Sequence, residues 1–305
     1  MDGIAIRTNG LTKAFSGRTV VDKLDLVVPQ GQVYGFLGPN GSGKSTTMKM
    51  LLGLTQPTAG DIVLLGERLT RVTRPRLLPS IGSMIEAPPG YGHLTGRENL
   101  RIVQHMLDLR TAQIDHALAI VRLTEHQHRL VRNYSLGMKQ RLGIAMALAR
   151  DPALLILDEP TNGLDPAGIE EMRTLLLRLA QQGITVMVSS HLLDEIDRMA
   201  SVLGILSTGR MIFQGSRDDL FARSAPDLVI ETPDPVAALA AVADATPTGP
   251  ADEAVGIRLS GIGKDQTAAV VQRLVHAEVP VHQVRRVRRS LEEVFMDLTG
   301  RGGLL

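Results

Sequence analysis

The sequence predicts an α/β fold with a buried parallel sheet, followed by a small α+β domain. Two apolar runs, Ala153 to Leu157 and Thr185 to Val188, are separated by a helix-like segment from Gly168 to Ala180. Continuous apolar runs divided by helices indicate strands that are buried on both faces, as in parallel sheets. A third apolar run, Val33 to Leu37, leads into a glycine-rich loop and a helical pattern over Thr46 to Leu54.

The remaining elements of the first domain follow from period and turn residues. Val20 to Val28 alternates loosely and predicts one strand, and Ile62 to Leu65 predicts another after the turn at Pro57 to Gly60. The stretch from Ile102 to Ala149 has long helical periodicity. We therefore expect a helical subdomain over about 87–148.

A change in composition past about Phe221 predicts a domain boundary near Ser224, so that residues 1–223 form one domain and residues 224–305 another. Prolines cluster there, at Pro226, Pro233, Pro235, Pro247 and Pro250. The pattern beyond them predicts strand, helix, strand, helix over Val255–Leu259, Gln266–Ala277, Val281–Val287 and Ser290–Leu298.

Composition limits the classes of function. Lys and Arg number 33 against 32 Asp and Glu, so the chain lacks the basic excess of a bulk nucleic-acid binder. There are no cysteines, which excludes disulfides and cysteine metal sites. No apolar window approaches the roughly 18 residues of a membrane-spanning helix, and Met1 to Arg7 does not resemble a signal peptide. If the protein works at a membrane, another chain must supply the spanning part.

The loop Gly38-Pro39-Asn40-Gly41-Ser42-Gly43-Lys44-Ser45 matches the phosphate-binding pattern G-x-x-x-x-G-K-[ST]. Glycines let backbone N–H groups approach phosphate oxygens, and the N-terminus of the following helix favours anions. Lys44 can reach the β- and γ-phosphates, and the Ser45 hydroxyl can ligate magnesium. The loop predicts binding of a nucleoside triphosphate.

Two carboxylates, Asp158 and Glu159, follow the apolar run Leu154 to Leu157. Ligands bind at the carboxyl ends of strands in open α/β sheets, so both side chains are expected beside the phosphate loop. Asp158 is placed to hold magnesium through water, and Glu159 is placed to orient or deprotonate the attacking water.

Further motifs resemble those of the ABC ATPases. Tyr134 to Arg141 resembles the family's signature motif, and Pro160 to Asp165 resembles the segment containing its D-loop. His191 resembles the switch histidine, and Phe15 resembles the aromatic residue that stacks on adenine. These motifs occur in the family's order over about residues 4–222. The resemblance implies a P-loop NTPase fold with a helical subdomain.

The resemblance also implies a mechanism and a set of site residues. Two copies would close head to tail over two ATP molecules, so that Ser135 and Gly137 of one copy complete the phosphate loop of the other. The expected catalytic residues are Glu159, His191 and Lys44. The expected nucleotide contacts are Phe15, Gly38, Pro39, Asn40, Gly41, Ser42, Gly43, Lys44, Ser45, Thr46, Ser135 and Gly137. The expected Mg²⁺ ligands are Ser45, Asp158 and Glu86.

Three positions depart from the family pattern. Leu136 stands where the family usually has glycine, and Met138 and Glu86 stand where it usually has glutamine. Together with the segment Tyr91 to Leu100, these residues resemble the pattern of bacterial ABC-2-type exporter ATPases of bacitracin and lantibiotic resistance. That resemblance implies an ATPase that binds a multi-span permease at the cytoplasmic face of the membrane. A soluble non-transport ATPase of the same class and an importer ATPase remain alternatives.

Overall fold

The computed structural model describes residues 3–86, 88–190, 193–222, 226–242 and 256–299. The chain divides into two compact units between Arg217 and Asp218. The boundary that the sequence predicts, near Ser224, falls just beyond this division, among residues outside the described ranges.

The larger unit contains two sheets and the helices that pack on them. Its strands are β1 (Ile4–Phe15), β2 (Arg18–Leu24), β3 (Val27–Pro29), β4 (Val33–Leu37), β5 (Ala59–Leu64), β6 (Glu67–Arg68), β7 (Ile81–Met84), β8 (Leu154–Asp158), β9 (Thr185–Ser190), β10 (Val202–Ser207) and β11 (Arg210–Ser216). Its helices are α1 (Lys44–Leu51), α2 (Arg74–Leu77), α3 (Gly96–Leu107), α4 (Thr111–Ile120), α5 (Leu136–Leu148), α6 (Pro166–Gln181) and α7 (Leu193–Asp197). The division between the units falls within α8 (Arg217–Ala222).

The six-stranded sheet has the order β11-β10-β4-β9-β8-β7, and only β11 runs antiparallel to its neighbour. Every residue of β4, β8 and β9 is buried. Tyr34 and Phe36 of β4 belong to a core cluster that also includes Met48 of α1. On the opposite face, a Cβ on Gly35 would lie 2.3 Å from Ile196 Cγ2 of α7. Helices therefore cover both faces, which explains the continuous apolar runs.

The antiparallel sheet corrects the predicted strand over Val20 to Val28, because two strands occupy that stretch. β1 pairs with β2 through Leu11–Phe15 and with β3 through Ile4–Arg7. Between them the Thr8 hydroxyl donates to Leu24 O at 2.7 Å and accepts from the Leu26 N–H at 2.8 Å. The Thr8 side chain thus takes over the hydrogen bonding where the ladder is interrupted.

The helical region is also divided. The expected continuous helical stretch over Ile102 to Ala149 consists of α3, α4 and α5 with short 3₁₀ turns between α4 and α5. α3 begins with a capping box between Thr95 and Glu98 and ends at Asp108, whose φ of 53° is left-handed. A left-handed residue cannot continue a right-handed helix, so the chain turns there.

The smaller unit is α+β. Its elements are β12 (Asp227–Glu231), α9 (Pro235–Ala241), β13 (Gly256–Leu259), α10 (Lys264–His276), β14 (Gln283–Val287) and α11 (Leu291–Thr299). β12 lies between β13 and β14 and is antiparallel to both. Leu228, Ile230, Leu259 and Leu274 pack together in its core. The sequence pattern predicts the last four elements and misses β12 and α9.

Candidate nucleotide-binding site

The glycine-rich loop connects β4 to α1 and turns too tightly for larger residues. A Cβ on Gly38 would lie 2.3 Å from Leu206 O and 2.6 Å from Ser42 Oγ. Gly43 precedes α1 with a φ of 105°, which side chains other than hydrogen rarely allow. The helix begins at Lys44, so its free N–H groups face the loop and form a site for anions.

Lys44 is bound to the loop itself. Its ammonium donates to Gly38 O at 2.6 Å and to Pro39 O at 3.3 Å. Burial lowers the pKa of Lys44, and the negative charges of Glu159 and Asp158 partly oppose that change. The side chain is thus a buried cation held by two neutral carbonyls, which phosphate oxygens can replace as stronger acceptors.

Ser189 fixes the carboxylates at the end of β8. The parallel register places Asp158 opposite Ser189 on β9. The Ser189 hydroxyl donates to Asp158 Oδ1 at 2.5 Å and accepts from the Glu159 N–H at 3.0 Å. One buried hydroxyl therefore orients both acidic residues. Ser189 is not among the residues that the motifs predict, and the one signal for it in the sequence is a hydroxyl at the end of an apolar strand.

Glu159 begins a turn that directs its side chain out of the sheet. Its φ is 47°, and its carbonyl accepts from the Asn162 N–H at 3.1 Å. Asn162 Nδ2 also donates to Glu159 Oε2 at 3.3 Å. A left-handed non-glycine residue costs about 1–3 kcal/mol, and the turn with Asn162 holds Glu159 in that conformation.

These acidic groups share a cleft with the phosphate loop. The cleft is lined by Ser45, Glu86, Pro88, Leu136, Gln140, Asp158, Glu159 and Asn162. Its hydroxyl, carboxylate and amide oxygens are the donor types that a hydrated Mg²⁺ prefers. The charges of Glu159 and Asp158 also act on Lys44 of the phosphate loop. The residues present therefore fit a magnesium-bound triphosphate.

Glu86, an expected Mg²⁺ ligand, contacts a cation of the chain. Lys49 Nζ on α1 donates to Glu86 Oε1 at 2.5 Å. The hydrogen bond and the charge of Lys49 lower the pKa of Glu86. Glu86 thus lines the cleft as an ionised residue whose charge is paired.

Ser135 and Gly137 lie in a second cleft, whose lining does not include Ser45, Asp158 or Glu159. Its lining residues include Ser135, Leu136, Gly137, Gly163, Leu164 and Asp165. Ser135 begins α5, where its hydroxyl accepts from the Met138 N–H at 3.2 Å. These parts of the predicted site are therefore distributed over two clefts within one chain, and Leu136 alone of the described lining residues belongs to both.

Two predicted residues stand apart from these clefts. Phe15 ends β1, is 48% exposed, and has Lys13 Nζ 4.7 Å from its ring centroid. An exposed ring there is available for stacking, and neither cleft includes it. His191 lies outside the described residues.

The fold and the site define the class of enzyme to which the chain belongs. A phosphate loop between the central strand β4 and helix α1, with two strand-end carboxylates and a buried lysine, is the apparatus of a P-loop nucleoside triphosphatase.

Comparison with known proteins defines the family. Residues 21–162 match the ABC transporter family model. The chain is 37% identical over 299 residues to the ABC transporter ATP-binding protein YhcH of Bacillus subtilis, covering 97% of this chain and 96% of that one. The chain therefore belongs to the ABC transporter ATP-binding proteins, whose domain binds and hydrolyses ATP.

Other relatives agree. The chain is 47% identical over 221 residues to the bacitracin transport ATP-binding protein BcrA of Bacillus licheniformis, covering 72% of each chain. The structure is similar to that of cbiO1 from Clostridium perfringens, part of the ABC transporter complex cbiONQ, with a TM-score of 0.66 and 26% identity. That alignment covers 73% of this chain and 92% of cbiO1.

Proposed function

We propose that the chain is the ATPase subunit of an exporter and works with a separate multi-span permease at the cytoplasmic face of a bacterial membrane. The observation that carries the proposal is the 47% identity to a bacitracin transport ATP-binding protein, and the division of the site between two clefts supports its action as a pair. A drug, an antibiotic peptide or a lipid-like compound is the proposed cargo, in keeping with the similarity to BcrA, a bacitracin transport protein.

Each active site would be completed by a second copy. The cleft that Ser135 and Gly137 line does not include Ser45 or Glu159, so we expect a second copy to bring Ser135 and Gly137 to the phosphates that Ser45 and Lys44 would bind. A head-to-tail pair brings the cleft of Ser135 over the phosphate loop of the other copy. The Ser135 hydroxyl and the free N–H groups at the start of α5 then face the γ-phosphate.

Hydrolysis follows from these positions. Lys44 and the N-terminus of α1 hold the β- and γ-phosphates, and Ser45 and Asp158 would hold Mg²⁺, which neutralises phosphate charge. Glu159 orients the attacking water and accepts its proton. Loss of the γ-phosphate removes the charge that joins the two copies, so the pair opens. By its resemblance, His191 is proposed to contact the γ-phosphate.

Gly137 provides a test of the composite site. Among the described residues, a Cβ there would meet only Leu164 Cδ2, at 3.7 Å, so the fold of one chain does not require glycine at that position. Gly137→Val should leave folding and ATP binding by the monomer unchanged. It should reduce turnover about tenfold, because overpacking a contact costs roughly 1–3 kcal/mol.

The measurements are ATP titration, phosphate release and gel filtration with ATP. The control is Ala112→Val, which puts the same side chain at an exposed position in the first turn of α4. Turnover by Gly137→Val at the rate of this control would contradict the composite site.

The membrane partner can be identified by purification. Among the described residues, no helix is long and apolar enough to cross a membrane. We expect the tagged chain, isolated from detergent-solubilised membranes of its own cells, to bring with it a protein with about six apolar segments of spanning length. The same tag on an unrelated protein is the control. Recovery without any such protein would favour a non-transport ATPase.

A further inference from the structure

Gln140 is a buried amide whose oxygen has no partner. It lies on α5, is 4% exposed, and lines the same cleft as Ser45, Asp158 and Glu159. Its Oε1 forms no hydrogen bond with any described residue. A buried acceptor without a donor costs about 1–3 kcal/mol, so a site that keeps one needs a reason.

The packing of α5 fixes where Gln140 faces. A Cβ on Gly143 would lie 2.5 Å from Met84 Sδ and 3.0 Å from Pro89 Cδ, so α5 lies directly against the segment that contains Glu86. Gln140 is three residues before Gly143 and therefore lies on the same face of the helix. This places Gln140 at the wall of the cleft that Glu86 and Pro88 also line.

The chemistry of the cleft limits what can donate to this oxygen. Asp158, Glu159 and Glu86 offer carboxylate oxygens, which accept hydrogen bonds. Asn162 Nδ2 donates to Glu159 and Lys49 donates to Glu86, and no described group, the Ser45 hydroxyl of the cleft included, donates to Gln140 Oε1. Gln140 Oε1 therefore needs a donor from a bound molecule. A water molecule coordinated by a cation is a strong hydrogen-bond donor.

We propose that Gln140 accepts a hydrogen bond from a water molecule of the Mg²⁺ that accompanies the triphosphate. Mg²⁺ keeps several waters when carboxylates and phosphates bind it, so an outer amide oxygen suits it better than direct contact. Gln140 is then a positioning residue for the hydrated ion. The inference rests on the proposed nucleotide site and adds to it a residue that selects for the magnesium complex.

The test measures binding without turnover. The dissociation constant of AMP-PNP, a non-hydrolysable ATP analogue, is determined with Mg²⁺ and with EDTA for the full chain. The ratio of the two constants is the gain that Mg²⁺ confers. Gln140→Leu should reduce this gain roughly two- to tenfold and leave the constant in EDTA unchanged. Its thermal unfolding midpoint should not fall, because the unpaired acceptor is removed.

Two further variants separate the possible roles. Gln140→Glu keeps an acceptor and should retain the gain from Mg²⁺, whereas loss of the gain in both variants would overturn the acceptor role. Gln181→Leu, at the exposed end of α6, is the matched control. If Gln140→Leu does not fold, Gln140→Met replaces it.

Two other outcomes are decisive. An unchanged ratio, or equal weakening of AMP-PNP binding with Mg²⁺ and with EDTA, would refute the role of Gln140 and leave the nucleotide site intact. Failure of the unmodified chain to bind AMP-PNP would refute the nucleotide site itself.

Discussion

Replacing Glu159 by glutamine should lower ATP turnover by roughly 10²- to 10⁴-fold, the contribution of a general base, while ATP still binds. The substitution keeps the size of the side chain and removes its ability to take a proton. The Glu159 N–H donates to Ser189 Oγ at 3.0 Å through the backbone, so this contact persists in the variant. The turn after β8 therefore keeps its shape, and the loss is chemical.

The same variant should accumulate as an ATP-bound dimer, because the γ-phosphate that joins the two copies is not removed. Phosphate release at saturating ATP and gel filtration with and without ATP measure both effects. Glu125→Gln, at an exposed position of a 3₁₀ turn, is the control. Turnover at the normal rate would exclude Glu159 as the base, and loss of ATP binding would indicate a structural role.

The sequence predicts those parts of the fold that are buried on both sides. β4, β8 and β9 are fully buried, so their residues form uninterrupted apolar runs. β1 is harder to predict, because its twelve residues mix buried and exposed positions without a regular period and change partner strands midway. The division of the helical region also depends on single residues, such as Asp108 in a left-handed conformation.

The parts of the site that the sequence predicts are those whose residues are neighbours in the chain. The phosphate loop and Asp158-Glu159 are contiguous, so their spacing in the chain carries the chemistry. Ser189 contacts both carboxylates because of the register between β8 and β9, and the role that we propose for Gln140 depends on the packing of α5. Neither is encoded in local spacing.

Glu86 has a partner that its position in the family pattern does not predict. The resemblance predicts an Mg²⁺ ligand there, and the structure shows an ion pair with Lys49, 37 residues away in the chain. The two observations are compatible if the cation of Lys49 neutralises the charge that a carboxylate adds beside the phosphates. A role of Glu86 in binding Mg²⁺ stays a prediction.

Lys44→Ala should weaken ATP binding by about 100-fold. Hydrogen bonds to charged groups contribute about 1.5–3 kcal/mol each, and the ammonium can contact two phosphates. In the free chain these bonds are already made to Gly38 O and Pro39 O, so binding ATP exchanges acceptors without ordering a loose side chain. Lys44 is 5% exposed, which limits screening by water and salt.

The control for this prediction is within the chain. Lys264 is, like Lys44, the first residue of a helix that follows a glycine, but it is exposed and no phosphate loop precedes it. Lys264→Ala should bind ATP with the affinity of the unmodified chain in a titration with a fluorescent ATP analogue. Equal affinity in the Lys44 and Lys264 variants would mean that the loop does not bind the phosphates. A lower affinity confined to Lys44→Ala would assign the binding contribution of this charge to the phosphate loop.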